Sequence, residues 1–182
     1  MTRTALEDFV EGVRSPWGAL TTELVTACQR QMETLLAAPA EEAWLAGLHR
    51  EAPPSRELYR DPDHGFVLLA HAERSGLYRP PHDHGGSWVL YGIQHGEVEM
   101  GTYARLHGEE GEVRLVRRNT TRVSAGQTQL YLPGDIHDTL CLSADALVFR
   151  FTERDLRIED REGRLTRYMD EDGTWTTRPR VV

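Results

Sequence analysis

The feature that most constrains the fold is a change of pattern near residue 66, where helical spacing gives way to short strand-like segments. Phe66–Ala70 and Ser87–Gln94 are apolar runs of strand length, and Val98–Leu106 alternates apolar with polar residues. Further short strands are predicted at Glu112–Arg118, Thr121–Ala125, Gln129–Leu132, Thr139–Leu142, Ala146–Thr152, Leu165–Met169 and Thr174–Thr177. Many short strands separated by turn residues predict a sandwich or a barrel.

Two turns in this region are predicted to join neighbouring strands as hairpins. His95-Gly96 separates two of the strand segments. Asp170-Glu171-Asp172-Gly173 ends in the Asp-Gly pair that is typical of tight hairpin turns. We therefore expect the strands on either side of each turn to pair with each other.

The N-terminal region shows helical spacing instead. Apolar residues recur on one helix face over Leu20–Leu36, Pro39 ends that pattern, and Glu41–His49 predicts a second, shorter helix. A weaker helical pattern covers Leu6–Val13. No linker follows, so we expect a single mainly β domain over residues 1–182. In this domain residues 1–52 form a helical cap on a β-barrel of residues 53–182.

Composition narrows the partners and the compartment. The net charge of −8 argues against nucleic acid or an anionic membrane as the main partner. No apolar run approaches the length of a membrane span, and the N-terminus lacks a signal-peptide core, which predicts a cytoplasmic protein. Cys28 and Cys141 do not form a disulfide framework. An exposed N-terminal helix or strand could support a homodimer.

Three histidines predict a metal site. His82 and His84 are two positions apart on a predicted strand, so both imidazoles point to one face. His137 follows an apolar strand and the Pro133-Gly134 turn, which a barrel can bring beside the first pair. Neutral imidazole is a good ligand for first-row divalent metals. Three such ligands would leave open positions for water, substrate or dioxygen.

These two segments resemble the paired motifs of the cupin superfamily, whose fold is a double-stranded β-helix. The positions that match the two motifs in spacing are Gly76, His82, His84, Gly96, Gly126, Gly134 and His137. Three positions depart from the usual pattern. Val89 stands where most cupins have a glutamate ligand, Pro133 is one residue from its usual place, and Cys141 replaces an asparagine.

Loss of the glutamate leaves a shell of three histidines, which resembles the cysteine-dioxygenase-like branch of the cupins. The His-Asp-His triplet, the nearby Ser87 and the upstream Arg56 also resemble that branch. The resemblance implies an iron(II) site that uses dioxygen, with an arginine that binds the substrate carboxylate. Arg56 matches the place of that arginine by its distance from His82.

The same branch normally has a Ser-x-His-x-Tyr relay after the third histidine, and this chain does not. Val148, Arg150 and Thr152 fall at the positions of the serine, histidine and tyrosine. The cysteine that cross-links to the relay tyrosine is also missing. The resemblance therefore supports the metal scaffold more than it supports oxidation of a thiol.

Several other side chains could serve the site. Tyr131, just before the Pro-Gly turn, could donate a hydrogen bond to a bound oxygen species. His71 is expected to be a core residue or a partner of a ligand rather than a fourth ligand. Aromatic residues that could line a pocket, but are expected more often in core or rim packing, are Trp88, Tyr91 and Tyr103.

Three hypotheses for the function follow. The leading one is a mononuclear non-haem iron(II) dioxygenase acting on a small carboxylate-bearing substrate, which could also carry a thiol. The second keeps the site but holds zinc, manganese or nickel and acts as a lyase or isomerase through Lewis-acid polarisation. The third is a non-catalytic module that binds a small ligand.

Overall fold

The computed structural model describes residues 3–107, 113–171 and 174–177. Within those residues the helices are α1 (Ala5–Arg14), α2 (Thr22–Leu36), α3 (Ala43–Glu51) and α4 (Leu156–Arg161). The strands are β1 (Arg56–Arg60), β2 (Val67–Arg74), β3 (Tyr78–His82), β4 (Val89–His95), β5 (Glu97–His107), β6 (Val113–Ser124), β7 (Thr128–Tyr131), β8 (Ile136–Cys141), β9 (Asp145–Thr152), β10 (Tyr168–Glu171) and β11 (Thr174–Thr177).

Most of the strands form two antiparallel sheets that face each other. One sheet has the order β1-β2-β9-β4-β7, the other has the order β3-β8-β5-β6, and β10 pairs with β11. From β2 to β9 the chain therefore passes between the sheets in the jelly-roll manner of a double-stranded β-helix. The predicted mainly β, cupin-type barrel is confirmed. Its interior is a cluster of buried side chains: Val89, Tyr91, Ile93, Val98, Met100, Val123, Tyr131, Cys141, Ala146 and Val148.

The N-terminal helices cover the outer face of the five-stranded sheet. Thr21 caps α2 by accepting a hydrogen bond from the Leu24 N–H, so the helix begins at Thr22 and Leu20 stays exposed before it. The apolar face of α2 packs with α1 and α3 against Phe149 and Phe151. None of the described helices is both long and apolar enough to cross a membrane.

The predicted hairpin at His95-Gly96 is wrong. β4 pairs with β7 and β9, whereas β5 pairs with β6 and β8 in the opposite sheet. Gly96 has a positive φ of 82°, and a Cβ at this position would lie 2.4 Å from the Asp145 carbonyl oxygen. The glycine therefore turns the chain from one sheet to the other instead of folding it back on itself.

Other segments differ from the predictions in their extent. The two strands predicted around residues 113–124 are one strand, β6, with a register shift opposite Thr102/Tyr103. β1 and α4 were not predicted, because each is short and lacks a clear apolar period. β3 is the strand predicted at His82, but it ends at that residue, so His84 lies just beyond it. β10 and β11 pair as the Asp-Gly signal predicts, although Asp172 and Gly173, like residues 108–112, lie outside the described residues.

Candidate metal centre

The three predicted ligands converge at one end of the barrel. β3 and β8 pair so that His82 lies directly opposite His137. His84 follows two residues later, just beyond the end of β3. One ring nitrogen from each histidine lies within 4.8 Å of the others, and the Nε2 atoms of His84 and His137 are 3.3 Å apart. The sheet pairing therefore unites two segments that are distant in sequence.

The chemistry of these groups fits a divalent ion. Burial is the main cause that lowers the pKa of His82 and, more strongly, of His84 and His137, so all three imidazoles are neutral and offer lone pairs. The Nδ1 of His82 lies 2.9 Å from the Pro80 carbonyl oxygen, which leaves its Nε2 free for a metal. Two nitrogens bound tetrahedrally at about 2.0–2.1 Å lie about 3.3–3.4 Å apart. The spacing of the His84 and His137 nitrogens matches that value, and the three histidines could hold a metal ion.

Two tyrosines lie against the histidines. The Tyr91 hydroxyl is 3.4 Å from Nε2 of His84 and 3.5 Å from Nε2 of His137. The Tyr131 ring stacks on His137 with centroids 3.9 Å apart, and among the described residues its buried hydroxyl has no hydrogen-bond partner. Burial raises the pKa of both phenols. Tyr91, which the sequence assigned to core or rim packing, is thus the tyrosine whose oxygen faces the site.

His82 lies between a wide cleft and a small inner pocket, and His84 also lines the cleft. The cleft has a volume of about 680 Å³ and lies between the end of β3 and residues 156–170, while the inner pocket holds about 30 Å³. Three residues line both spaces: Arg79, His82 and Arg150. A small molecule in the cleft can therefore reach the candidate metal position and the inner pocket together.

Polar atoms without a partner among the described residues face the inner pocket. They are His71 Nε2, Glu73 Oε2, Thr139 Oγ1 and Arg150 Nε. The other carboxylate oxygen of Glu73 accepts a 3.0 Å hydrogen bond from Arg79. A volume of about 10–15 Å³ suffices for a water molecule, and buried polar atoms require a partner. The inner pocket is therefore a polar subsite for water or for one end of a ligand.

Arg150, not Arg56, is the arginine beside the histidines. Arg56 lies on the edge strand β1, where Nη2 donates to Glu51 at 2.5 Å, and it is not one of the described residues that line the two spaces. Arg150 lies on β9 between Phe149 and Phe151, which face the helices, so its own side chain faces the barrel interior. That Arg56 binds the substrate carboxylate stays a prediction. The position of Arg56 at the sheet edge does not favour it.

The C-terminal segment, residues 155–171, forms the outer wall of the cleft and is tied to the loop that carries His84. The buried carboxylate of Glu159 accepts hydrogen bonds from the Gly86 N–H at 2.9 Å and from Arg164. Asp83 accepts from the Thr166 N–H at 2.8 Å. Asp83 is therefore a turn and tethering residue, and these bonds make the cleft wall continuous with the site.

Some site residues were not found from the sequence. In the sequence, Arg150 is recognised only as the residue at the position of a relay histidine. Its place between two phenylalanines of an apolar strand is the signal that could have identified it as a site residue. Glu73 and Arg79 gave no such signal, since charges at strand ends are common.

Trp88 packs in the core under the helices, and His71 lies in the inner pocket and outside the histidine cluster.

Comparisons with known proteins find similarity in structure to solved proteins but no similarity in sequence to a known family or curated protein. No profile of a known protein family matches the sequence, and no curated protein matches it. Similar solved structures include the cupin domain of Schizosaccharomyces pombe Cnp3, at 13% identity over 60% of this chain and 69% of that one, with a TM-score of 0.44. KdgF from Halomonas sp. is 20% identical over 57% of this chain and 81% of its own, with a TM-score of 0.43.

A recombinant oxalate oxidase in complex with glycolate is 18% identical over 56% of this chain, with a TM-score of 0.43, and this chain spans about half (51%) of that structure. These scores are too low to carry a functional conclusion. The assignment to a cupin-type barrel accordingly rests on the strand order, the register of β3 with β8, and the three histidines at the barrel mouth.

Proposed function

We propose that this protein is a metal-dependent enzyme that acts on a small carboxylate-bearing molecule, and that it is a mononuclear non-haem iron(II) dioxygenase. The observation that carries the proposal is the cluster of three neutral histidines, two of which line a wide cleft that also contains a guanidinium group. Imidazole suits iron as well as zinc, copper and nickel. Three neutral ligands leave the ion cationic, with positions open for other ligands.

The protein's own residues would bind and orient the substrate. His82, His84 and His137 would hold the ion, and iron when bound would supply the activation of dioxygen. Arg150 would pair with the substrate carboxylate, because its Nε–H faces the inner pocket without a partner among the described residues. The polar atoms of the inner pocket would fix a hydroxyl, amine or water beside it.

A lyase or isomerase that uses the ion as a Lewis acid is the second candidate, and His71 favours it. His71 Nδ1 lies 3.2 Å from the Pro54 carbonyl oxygen, which leaves Nε2 facing the inner pocket as an acceptor. Burial lowers the pKa of His71 to about 3, so this nitrogen is neutral and able to accept a hydrogen bond. Such an enzyme would turn over without dioxygen.

The first test is metal content of untagged protein by elemental analysis, with His137→Ala as the site variant. The exposed His95, which lies 3.3 Å from Asp145, provides a matched His→Ala control. About one iron per chain, lost in His137→Ala and kept in His95→Ala, is expected. Dioxygen uptake is then measured with a panel of small carboxylates, thiols and diketones.

Turnover of this panel under argon would move the conclusion to the Lewis-acid reaction. Stoichiometric iron with no dioxygen uptake on any compound would contradict the dioxygenase. If wild-type protein takes up no iron, zinc, manganese or nickel on reconstitution, the proposal of a metal enzyme is wrong.

A further inference from the structure

The hydroxyl of Tyr91 lies beside ring nitrogens of two of the three clustered histidines. Its oxygen and the Nε2 atoms of His84 and His137 form a triangle with sides of 3.3, 3.4 and 3.5 Å. Ligand atoms bound at about 2.0–2.1 Å in a tetrahedral arrangement lie about 3.3–3.4 Å apart. We propose that Tyr91 Oη is a fourth protein ligand of the ion held by the histidines, which rests on the metal site proposed above.

The fold holds the Tyr91 oxygen in this place. Tyr91 lies on β4 between Val89 and Ile93, three residues of an almost fully buried strand, and only 6% of its surface is exposed. Val89 and Ile93 belong to the apolar barrel interior on the same strand face. The ring of Tyr131 packs edge-on against Tyr91 with centroids 6.0 Å apart. Because the ring is enclosed on these sides, its hydroxyl is directed to the histidines.

The guanidinium of Arg150 is the positive charge that would balance a deprotonated Tyr91 oxygen. Arg150 on β9 is the cross-strand partner of Tyr91 in the register of the sheet. Metal ligands bind in their deprotonated form, so coordination of Tyr91 would release the phenolic proton to the solvent as the O–metal bond forms. The guanidinium beside the oxygen would stabilise the resulting phenolate, while other N–H groups of its fork stay available to a carboxylate.

Coordination by Tyr91 would change what the site can do. Three neutral histidines leave the full charge of a divalent ion, whereas an added phenolate leaves a net charge of +1. In a six-coordinate site it would also reduce the open positions from three to two. Val89 occupies the place of the usual glutamate, and Tyr91, two residues further along the same strand face, would supply the anionic ligand in its stead.

Ferric ion added to the apoprotein is the probe, because a phenolate bound to iron(III) gives a visible charge-transfer band and enhanced tyrosine ring modes in resonance Raman spectra. Wild-type protein is expected to show both signals. Tyr91→Phe is expected to lose them and to bind zinc at least about tenfold more weakly in a chelator competition, since even indirect supports of a metal site contribute about 10–100-fold.

Tyr131→Phe is the matched control, since its buried ring also lies beside His137 but its hydroxyl makes no hydrogen bond among the described residues. It is expected to keep the band.

A wild-type protein that binds iron at the histidines but shows no band, or a band that persists in Tyr91→Phe, would overturn the inference while leaving the metal enzyme intact. The wild-type spectrum does not depend on the folding of any variant, and circular dichroism checks the variants. If wild-type protein binds neither ferric ion nor zinc, both proposals fail.

Discussion

The guanidinium of Arg150 lies inside the barrel. The two neighbours of Arg150 along β9 belong instead to the hydrophobic core between the sheet and the helices. These neighbours, Phe149 and Phe151, are fully buried under the helices, so strand alternation directs the guanidinium inward. Arg150 is half-buried, and its Nε has no hydrogen-bond partner among the described residues. Removing polar groups of a cation from water is costly unless they are paired. An anionic group in the inner pocket would pair with this Nε, as the carboxylate of the proposed substrate would.

Replacing Arg150 with glutamine should weaken substrate binding more than it slows turnover. A hydrogen bond to a charged group contributes about 1.5–3 kcal/mol, so KM is expected to rise about tenfold or more while metal content is unchanged. Steady-state kinetics on the carboxylate found in the screen measures this. Arg122→Gln, on an exposed strand position with 68% side-chain exposure, is the matched control.

The same kinetics distinguish the two arginine assignments. Arg56→Gln is expected to leave KM within about twofold of wild type, because Arg56 pairs with Glu51 on the edge of the sheet. A raised KM in Arg56→Gln together with an unchanged KM in Arg150→Gln would restore Arg56 as the carboxylate anchor and exclude Arg150.

Among the elements, the turns determine which strands meet at the candidate metal site. The His95–Glu97 junction sends the chain from one sheet to the other, and this change of sheet places β5 beside β8, the strand that carries His137. Gly96 and Gly126 both have a positive φ, of 82° and 85°. Only Gly96 has close neighbours, since a Cβ at Gly126 would meet no atom within 4 Å.

This difference predicts unequal effects of two alanine substitutions. Gly126→Ala should lower the free energy of unfolding by about 1–2 kcal/mol, the cost of the left-handed conformation. Gly96→Ala should cost at least about 1 kcal/mol more, because its methyl group collides with backbone atoms that cannot rotate away. Urea denaturation of both variants measures the difference, and equal midpoints would contradict the role assigned to Gly96.

At the scale of the whole molecule, four histidines are enclosed by the barrel as neutral groups. Burial lowers the pKa of His71 to about 3 and lowers those of His82, His84 and His137. A histidine in the unfolded chain titrates near pH 6.5. Below that pH the unfolded chain binds protons that the folded chain excludes, so the stability of the apoprotein is present above pH 6.5 and is lost as the pH falls.

The apoprotein is therefore expected to become less stable between pH 7.5 and pH 5. Each histidine that stays neutral in the fold contributes a slope of about 1.4 kcal/mol per pH unit below pH 6.5. His71→Gln should reduce this slope, since glutamine does not titrate. Urea denaturation at several pH values gives the slope, and an apoprotein whose stability is constant or rises on acidification would contradict the burial of neutral histidines.

The sequence by itself determined the two structural regions and the three candidate histidine ligands. Helical spacing up to residue 52 and short strands after residue 66 are local patterns, because each reflects the periodicity of one element. His82, His84 and His137 could be named because two are close in sequence and the third follows a Pro-Gly turn of a recognisable motif.

Only the tertiary structure decided what surrounds those ligands. Strand pairing depends on closure of the whole barrel, so the sequence did not reveal that β4 and β5 lie in different sheets or that Tyr91 lies opposite Arg150. The face that a side chain presents changes with a one-residue shift of register. For that reason the oxygen of Tyr91 and the guanidinium of Arg150 became visible as site groups only once the barrel was closed.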